Sequence, residues 1–346
     1  MREGRQLVRD TSVFASEQRG RSWWCFSSTL CLLVAAVSVA CLQVPWFVRL
    51  AASILIGLLH VRLFVIYHDY LHGAILQDSM IARVVFWCYG LITLAPPSIW
   101  RQTHDHHHRN NARRMTMDTV GTFPILTIDD YGKAGTGERF IYALSRHPLT
   151  IVLGYLSVFF YGFGIQALVQ NPRRHIDAAV GVVLHVALLV WLCMIGLDMM
   201  LFVVVIPMSL ASAFGAYLFY AQHNFPSAKI RPGTDWDYVV AALRSSSFIQ
   251  MSPVMHWFTA NIGYHHIHHL NHHIPFYRLP EAMASMEELQ SPGTTSLKPA
   301  EILRCLKLNL WDPEEDRLVS FAEGRKKRCE QVVRLPLREK TSALGG

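Results

Sequence analysis

Charge is what this sequence is short of. Asp, Glu, Lys and Arg make up only 16% of its 346 residues, against about a quarter in an ordinary soluble domain. Hydrophobic residues reach 51% and the mean hydropathy is +0.23, which points to a membrane protein with a substantial polar portion. Cysteine supplies no framework. Seven are scattered without a CxxC pair, and Cys25, Cys31, Cys41, Cys88 and Cys193 fall in apolar segments. That odd, unpatterned set argues against a disulfide scaffold and a cysteine-ligated zinc site. No HExxH occurs, and Gly135-Thr136-Gly137 is a lone glycine turn with no strand before it, so zinc-protease and nucleotide-loop readings fall away. The net charge of +7 suits nucleic acid in principle, but the basic residues mostly flank apolar segments. That is the positive-inside pattern of a membrane protein, so no nucleic-acid partner is expected.

Long apolar runs are abundant. Four meet the length rule of roughly 20 residues for a transmembrane helix, at about 23–42, 46–67, 177–196 and 199–220. Val44 and Pro45 join the first two, and Gly196-Leu197-Asp198 joins the last two, so the expected arrangement is two hairpins. Arg49 and Arg62 lie near the ends of the second span, where long side chains snorkel to the interface. Arginines at 2, 5, 9, 19 and 21, at 101, 109, 113, 114, 146, 173 and 174, and Lys229 and Arg231 all fall on one side of that arrangement. The positive-inside rule makes that side cytoplasmic. The apolar stretches 81–97 and 148–169 are read as interfacial or re-entrant segments, because a single crossing by either would part the histidine clusters described below. No small-residue cleavage site follows the first run, so residues 1–22 form a retained cytoplasmic tail. Residues 23–280 form the membrane domain and 281–346 a cytoplasmic extension, whose RKKR run at 325–328 reads as solvated surface or an anionic-lipid contact.

Histidine is the residue in excess. Six of the eighteen lie within 261–279. Each helical residue advances about 100°, so His265, His268 and His269 share one face and aim three imidazoles at one point. His104, His107 and His108 repeat that i, i+3, i+4 spacing, and His68 and His72 stand at i, i+4. Eight histidines exceed one ion, so two metals are implied. A solvated histidine-rich loop would not repeat this spacing. A second frame, His269 with His272 and His273, also satisfies HxxHH. The first is favoured because Pro275 loosens the helix soon after His273. His106 points about 160° from His104, off the shared face. His60 and His185, within spans, read as hydrogen-bonded packing residues, and His147, His175 and His256 receive no role. Asp69 and Asp105, each beside a candidate ligand, are candidates to orient ring N–H groups, and Asn261, one turn before His265, is a weaker one. The expected fold is an all-α membrane protein: four transmembrane helices in two hairpins, with a cytoplasmic helical cap holding a His-rich metal site.

Imidazole suits iron, zinc, copper and nickel alike. A structural zinc has no use for eight ligands, and the clusters hold no helix glutamates, unlike carboxylate di-iron bundles. HxxxH, HxxHH and HxxHH in this order resemble the integral-membrane fatty-acid desaturase and hydroxylase superfamily. WRQTHDHHH, QHNF and GYHHIHHLNHHIPFYRL look closest to bacterial acyl-lipid desaturases, over roughly residues 45–280. HDYLH departs from the many relatives with a small residue pair after the aspartate. The resemblance implies two irons held by His68, His72, His104, His107, His108, His265, His268 and His269, with His223 as a further ligand. It also implies O2 as co-substrate and insertion of a cis double bond into an acyl chain on a lipid or thioester. A separate donor, a ferredoxin or a cytochrome, would supply electrons, since no Rossmann, flavin or haem-binding segment appears. Hydroxylation or ketolation of an alkane, sterol or carotenoid is the alternative outcome at the same site. A metal transporter or sensor ranks third, because the spans carry no glutamate and their only aspartate, Asp177, sits at an end.

Overall fold

The computed structural model describes residues 4–112, 124–231 and 235–330. Arg2, Arg113, Arg114 and the last part of the expected C-terminal extension lie outside the described residues.

Helix α1 spans Arg19–Cys41 and α2 Trp46–Leu71. Pro45, with φ −52°, closes the turn between them and presets the entry to α2. Helix α3 (Met80–Ile92) starts where Ser79 accepts a hydrogen bond from the Ala82 amide at 3.2 Å. It meets α4 (Pro97–Arg109) at a 90° bend, which falls where Leu94 has φ +58° and Pro96 and Pro97 interrupt the helix. A broken or re-entrant span has this form. Helix α5 covers Tyr155–Gln170, wound as a π-helix over Tyr155–Gln166. Then come α6 (Ile176–Ile195) and α7 (Leu197–His223). The first turns of α7 are also π-wound, over Leu201–Val205, just ahead of Pro207, whose missing N–H breaks the regular ladder there. Helices α1, α2, α6 and α7 are long and apolar enough to cross a membrane, and the chain is a membrane protein.

Packing departs from two simple hairpins. Helix α2 packs against α1 on one side and α7 on the other. Helix α6 packs on α3 and α5 and also on the start of α7, where Leu192 clusters with Val204 and Met208, and α5 packs on α7 as well. The two span arginines are buried against other parts of the protein. Arg49 is 6% exposed; its Nε donates to the Ala40 carbonyl at 2.7 Å and its Nη1 to Asp198 at 2.5 Å. Arg62 is 5% exposed, donates to Thr29 Oγ1 at 3.0 Å and to the Trp257 carbonyl, and lies over the Trp257 ring. Interior carbonyls, a hydroxyl and an indole face solvate these cations in place of lipid headgroups.

The polar part is not wholly helical. Strands β1 (Ser247–Gln250) and β2 (Gly293–Ser296) pair in parallel, and β3 (Leu310–Asp312) and β4 (Arg317–Val319) pair antiparallel. Helix α8, His265–Leu270, packs on β1, which also touches α7. Thus β1 fixes α8 relative to the end of a membrane helix. In the RKKR run, Lys327 is tied to Asp312 at 2.5 Å and Glu315 at 2.6 Å, while Arg325 and Lys326 are exposed.

Candidate metal centre

Four elements converge at one level. The end of α2 brings His68 and His72, α4 brings His104, His107 and His108, α8 brings His265, His268 and His269, and α7 ends on His223. The nine rings fall into two groups. His68, His72, His104, His108 and His268 form one, and His107, His223, His265 and His269 form the other.

The triplets therefore do not aim three rings at one point, as the spacing suggested. Members at i and i+4 stay together (His104 with His108, His265 with His269), while the i+3 member joins the other group. Helix geometry accounts for the split. Residues i and i+4 diverge by about 40°, whereas i+3 lies about 60° to the other side and about 100° from i+4. Each of α4 and α8 thus serves both groups.

Spacing within the groups fits a metal. In the first, Nε2–Nε2 separations are 2.8 Å for His68–His104, 3.2 Å for His68–His72, and 3.1 Å for His104–His108 and His108–His268. In the second they are 2.9 Å for His223–His265, 3.0 Å for His265–His269 and His107–His223, and 3.2 Å for His107–His269. Metal–nitrogen bonds of about 2.1 Å at right angles separate neighbouring nitrogens by about 3.0 Å, against about 3.4 Å in a tetrahedron. The donor set thus suits five or six coordination better than a tetrahedral zinc. Protonation states agree. His223 Nδ1 lies 3.0 Å from the Ser245 carbonyl, which only accepts, so Nδ1 carries the proton and Nε2 keeps its lone pair. Burial first, and neighbouring imidazoles second, push His104, His108, His268 and His269 well below the usual histidine range, so these rings stay neutral.

Around the groups, the sequence candidates fare differently. Asp69 is 1% exposed; its Oδ1 accepts from His68 Nδ1 at 3.0 Å and its Oδ2 from the Phe276 amide at 2.7 Å. Asp105 lies instead on the outer face of α4, half-exposed and 3.9 Å from Arg109. One residue beyond His104, it is turned about 100° from that ring. Asn261 spends its side chain on the Phe276 carbonyl, at 3.1 Å, so it braces the loop that returns to Asp69 rather than a ligand. His106 is exposed beside Asn110. His185 is hydrogen-bonded, to Tyr155 and, at 2.8 Å, to the Ile92 carbonyl. The His60 Nδ1 has no partner among the described residues, so the expectation of a hydrogen-bonded ring does not hold there. Sequence reasoning missed Trp100, one turn before His104, whose indole stacks on that ring at 4.8 Å and 18°. An aromatic at i−4 from a candidate ligand is the signal that would have found it.

A cavity of about 530 Å³ opens against both groups. His68 and His104 of the first group and His265 of the second stand in its wall. Phe64, Trp100, Phe159, Phe163 and Phe219 give it an apolar lining, and it runs between α2, α5 and α7. The pocket has the form of a small-molecule site: concave, apolar, with a few convergent polar groups.

Comparison with known proteins bears on what such a pocket takes. The family model described as fatty acid desaturase matches residues 45–296. A fatty acid desaturase of Bacillus subtilis (strain 168) is 30% identical over 284 residues, covering 81% of this chain and 79% of the relative. An sn-1 oleoyl-lipid 12-desaturase of Picosynechococcus sp. is 24% identical over 312 residues, covering 87% of this chain and 88% of that protein. One from Synechocystis sp. is 20% identical over 282 residues, covering 80% and 79%.

Proposed function

The chain belongs to the fatty acid desaturase family, and from that premise we propose that it is an acyl-lipid desaturase with two irons at the paired histidine groups. The observation that carries this reading is the contact between both groups and one apolar cavity within the membrane helices. A methylene offers no acidic proton and no leaving group, so general acid–base chemistry has no purchase on it. When bound, the irons would supply the O2 activation and hydrogen abstraction that side chains lack.

The chain's own residues do the rest. Nine imidazoles supply the donors. Asp69 holds the His68 ring by its Nδ1–H, and the Ser245 carbonyl holds His223 in the same way. The aromatic walls keep water from the reacting carbons and hold the acyl chain extended past His68, His104 and His265. Overall, one methylene pair loses two hydrogens, O2 takes these with two electrons and two protons, and two waters leave. The electrons come from a separate donor, a ferredoxin or a cytochrome. The histidine level is assigned to the cytoplasmic face, on the basis of the arginine distribution.

Expression in a host that lacks polyunsaturated fatty acids, followed by lipid profiling, tests the reading. A new cis double bond in membrane lipids, lost with His268→Ala, is the expected result. Membrane-inserted, iron-replete protein that yields only a hydroxylated or oxo product would replace it with the hydroxylase or ketolase reading.

A further inference from the structure

The family match ends at residue 296, yet the chain beyond it reaches the second histidine group. Helix α9 (Pro299–Leu306) packs on α7. Asn224, the residue after His223, caps the end of α7 and is 2% exposed. Its Nδ2 donates to the Cys305 carbonyl at 2.7 Å and to the Leu308 carbonyl at 2.9 Å. One turn earlier, the Tyr220 hydroxyl donates to the same Leu308 carbonyl at 2.9 Å. These carbonyls lie where α9 runs out of its own N–H donors. Side chains of α7 thus cap another helix from outside it.

Arg146 locks this joint. It is 1% exposed. Its Nη1 donates to the Pro124 carbonyl at 2.8 Å. Its Nη2 serves the Leu308 carbonyl and the Tyr220 hydroxyl, each at 3.2 Å, and Asn224 Oδ1. Every hydrogen-bond partner it has among the described residues is a neutral oxygen, so no carboxylate offsets the desolvated guanidinium. Such a cation is tolerated only where these oxygens converge. Its burial therefore requires α7, the segment before Arg146 and the C-terminal segment to stand together.

The same C-terminal segment supports the His223 ring from another side. The Ser245 carbonyl accepts from His223 Nδ1, and Ser245 Oγ donates to the Lys229 carbonyl. Lys229 Nζ in turn pairs with Asp316 at 2.8 Å, and Arg231 pairs with it at 2.6 Å. Both the main chain that leaves His223 and the ring nitrogen that orients it trace back to residues 299–316. Among the described residues, no hydrogen bond joins 299–316 directly to α2, α4 or α8, which carry the whole first group.

Resting on the two-iron reading above, we infer that Arg146 and Asn224 are positioning residues that clasp residues 299–316 onto the end of α7. The clasp holds His223 in place for the second metal position and leaves the first group untouched. A segment beyond the family match is thereby part of one metal site.

The test is anaerobic titration of the full chain, stripped of metal in detergent, with ferrous iron. Two backgrounds isolate the groups: His72→Ala leaves the second intact, and His223→Ala leaves the first. Arg146→Met removes the guanidinium. Asn224→Asp keeps an acceptor for Arg146 and loses both donations to α9, and it carries the test alone if Arg146→Met leaves the membrane. In the His72→Ala background each substitution is expected to weaken iron binding about 10–100-fold. In the His223→Ala background the same substitutions should change it less than about twofold, as for independent sites. Equal weakening in both backgrounds would make the clasp general scaffolding, and no weakening in either would remove it; each overturns the inference. A wild-type chain that takes up fewer than two irons overturns the two-iron reading itself, and the clasp with it.

Discussion

His107 and His108 are neighbours in the chain and belong to different metal groups. The Nε2 of His107 lies 3.0 Å from that of His223, whereas the Nε2 of His108 lies 3.1 Å from that of His268. A single helical turn of α4 therefore bridges both centres, as α8 does from the opposite side. The spacing between the two groups is set by two helices rather than by loops, which holds both in fixed register against one cavity.

Single substitutions should separate the two groups. His72→Ala removes a ligand from the first group and His223→Ala one from the second. Each variant is expected to bind about one metal in place of two, and both should lose desaturation, since both groups reach the cavity together. Elemental analysis of purified protein, paired with lipid profiling, checks this. Two metals retained in His223→Ala would remove that residue from the ligand set.

Asp69 links the His68 ring to the Phe276 amide, and both bonds are buried. Asp69→Ala frees the ring and strands the amide, so metal affinity should fall about 10–100-fold. Asp69→Asn keeps one acceptor oxygen for two donors, so a smaller loss is expected. Metal titration of the stripped protein ranks the three chains. Equal affinity for all of them would leave Asp69 a packing residue.

Much of this centre was legible in the sequence, and the parts that were not share a cause. Helical spacing puts His104, His107 and His108 on one side of α4, and that much needs no tertiary information. Which ring joins which group depends on where α7 and α8 stand, so the division of each triplet was invisible. The four apolar spans followed from length and hydropathy. The apolar stretch 148–169, expected to be interfacial or re-entrant, forms α5 from Tyr155 onward, and its packing on α7 is a tertiary contact that composition does not reveal. Asp105 and Asp69 look alike in sequence, each following a histidine. Only the return of the chain at Phe276 gives Asp69 a second donor, while Asp105 faces out beside Arg109. The β1–β2 pair joins strands more than 40 residues apart in sequence, which local patterns do not reveal.

Arg49 and Asp198 form an asymmetric pair, with side chains 7% and 50% exposed. Removing Asp198 leaves a buried guanidinium with the Ala40 carbonyl, the Met199 sulfur and the Phe202 ring face, whereas removing Arg49 leaves a carboxylate that water reaches. Asp198→Ala should therefore lower the thermal midpoint in detergent more than Arg49→Leu. The opposite order would show that the Arg49 side chain acts mainly by filling space.

Membrane sidedness, proposed from the arginine distribution, is open to labelling. Gly135 and Ser291 are exposed, as is native Cys41 at the far end of α1. Cysteines placed at the first two positions should resist a membrane-impermeant thiol reagent added to intact cells, while Cys41 reacts. External labelling at 135 would put the α4 histidines and the arginine-rich segment on the wrong side for a cytoplasmic centre.

The last prediction concerns which frame of the final histidine run binds metal. His265 stands among the second group, 2.9 Å from His223 and 3.0 Å from His269 by their Nε2 atoms. Helix α8 ends sooner than Pro275 alone suggests, at Leu270, because Asn271 turns extended with φ −152° and ψ 90°. Its side-chain Nδ2 donates to Thr11 Oγ1 at 3.1 Å and its Oδ1 accepts from the His273 N–H at 3.2 Å, so the break is held from both sides. Beyond that break, helical periodicity no longer returns His272 to the His265 face. The His272 ring comes instead to the first group, with centroids 4.8 Å from His72 and 5.2 Å from His108, and burial pushes its pKa down to about 4. His273 is exposed. His265→Ala should therefore lose both a metal and all product. His272→Ala should keep both metals and lose part of the rate, as expected for a neutral ring that packs on ligands without being one. His273→Ala should behave as wild type. If His272→Ala lost a metal while His265→Ala kept two, the second frame would hold the centre and the order of these three residues would reverse.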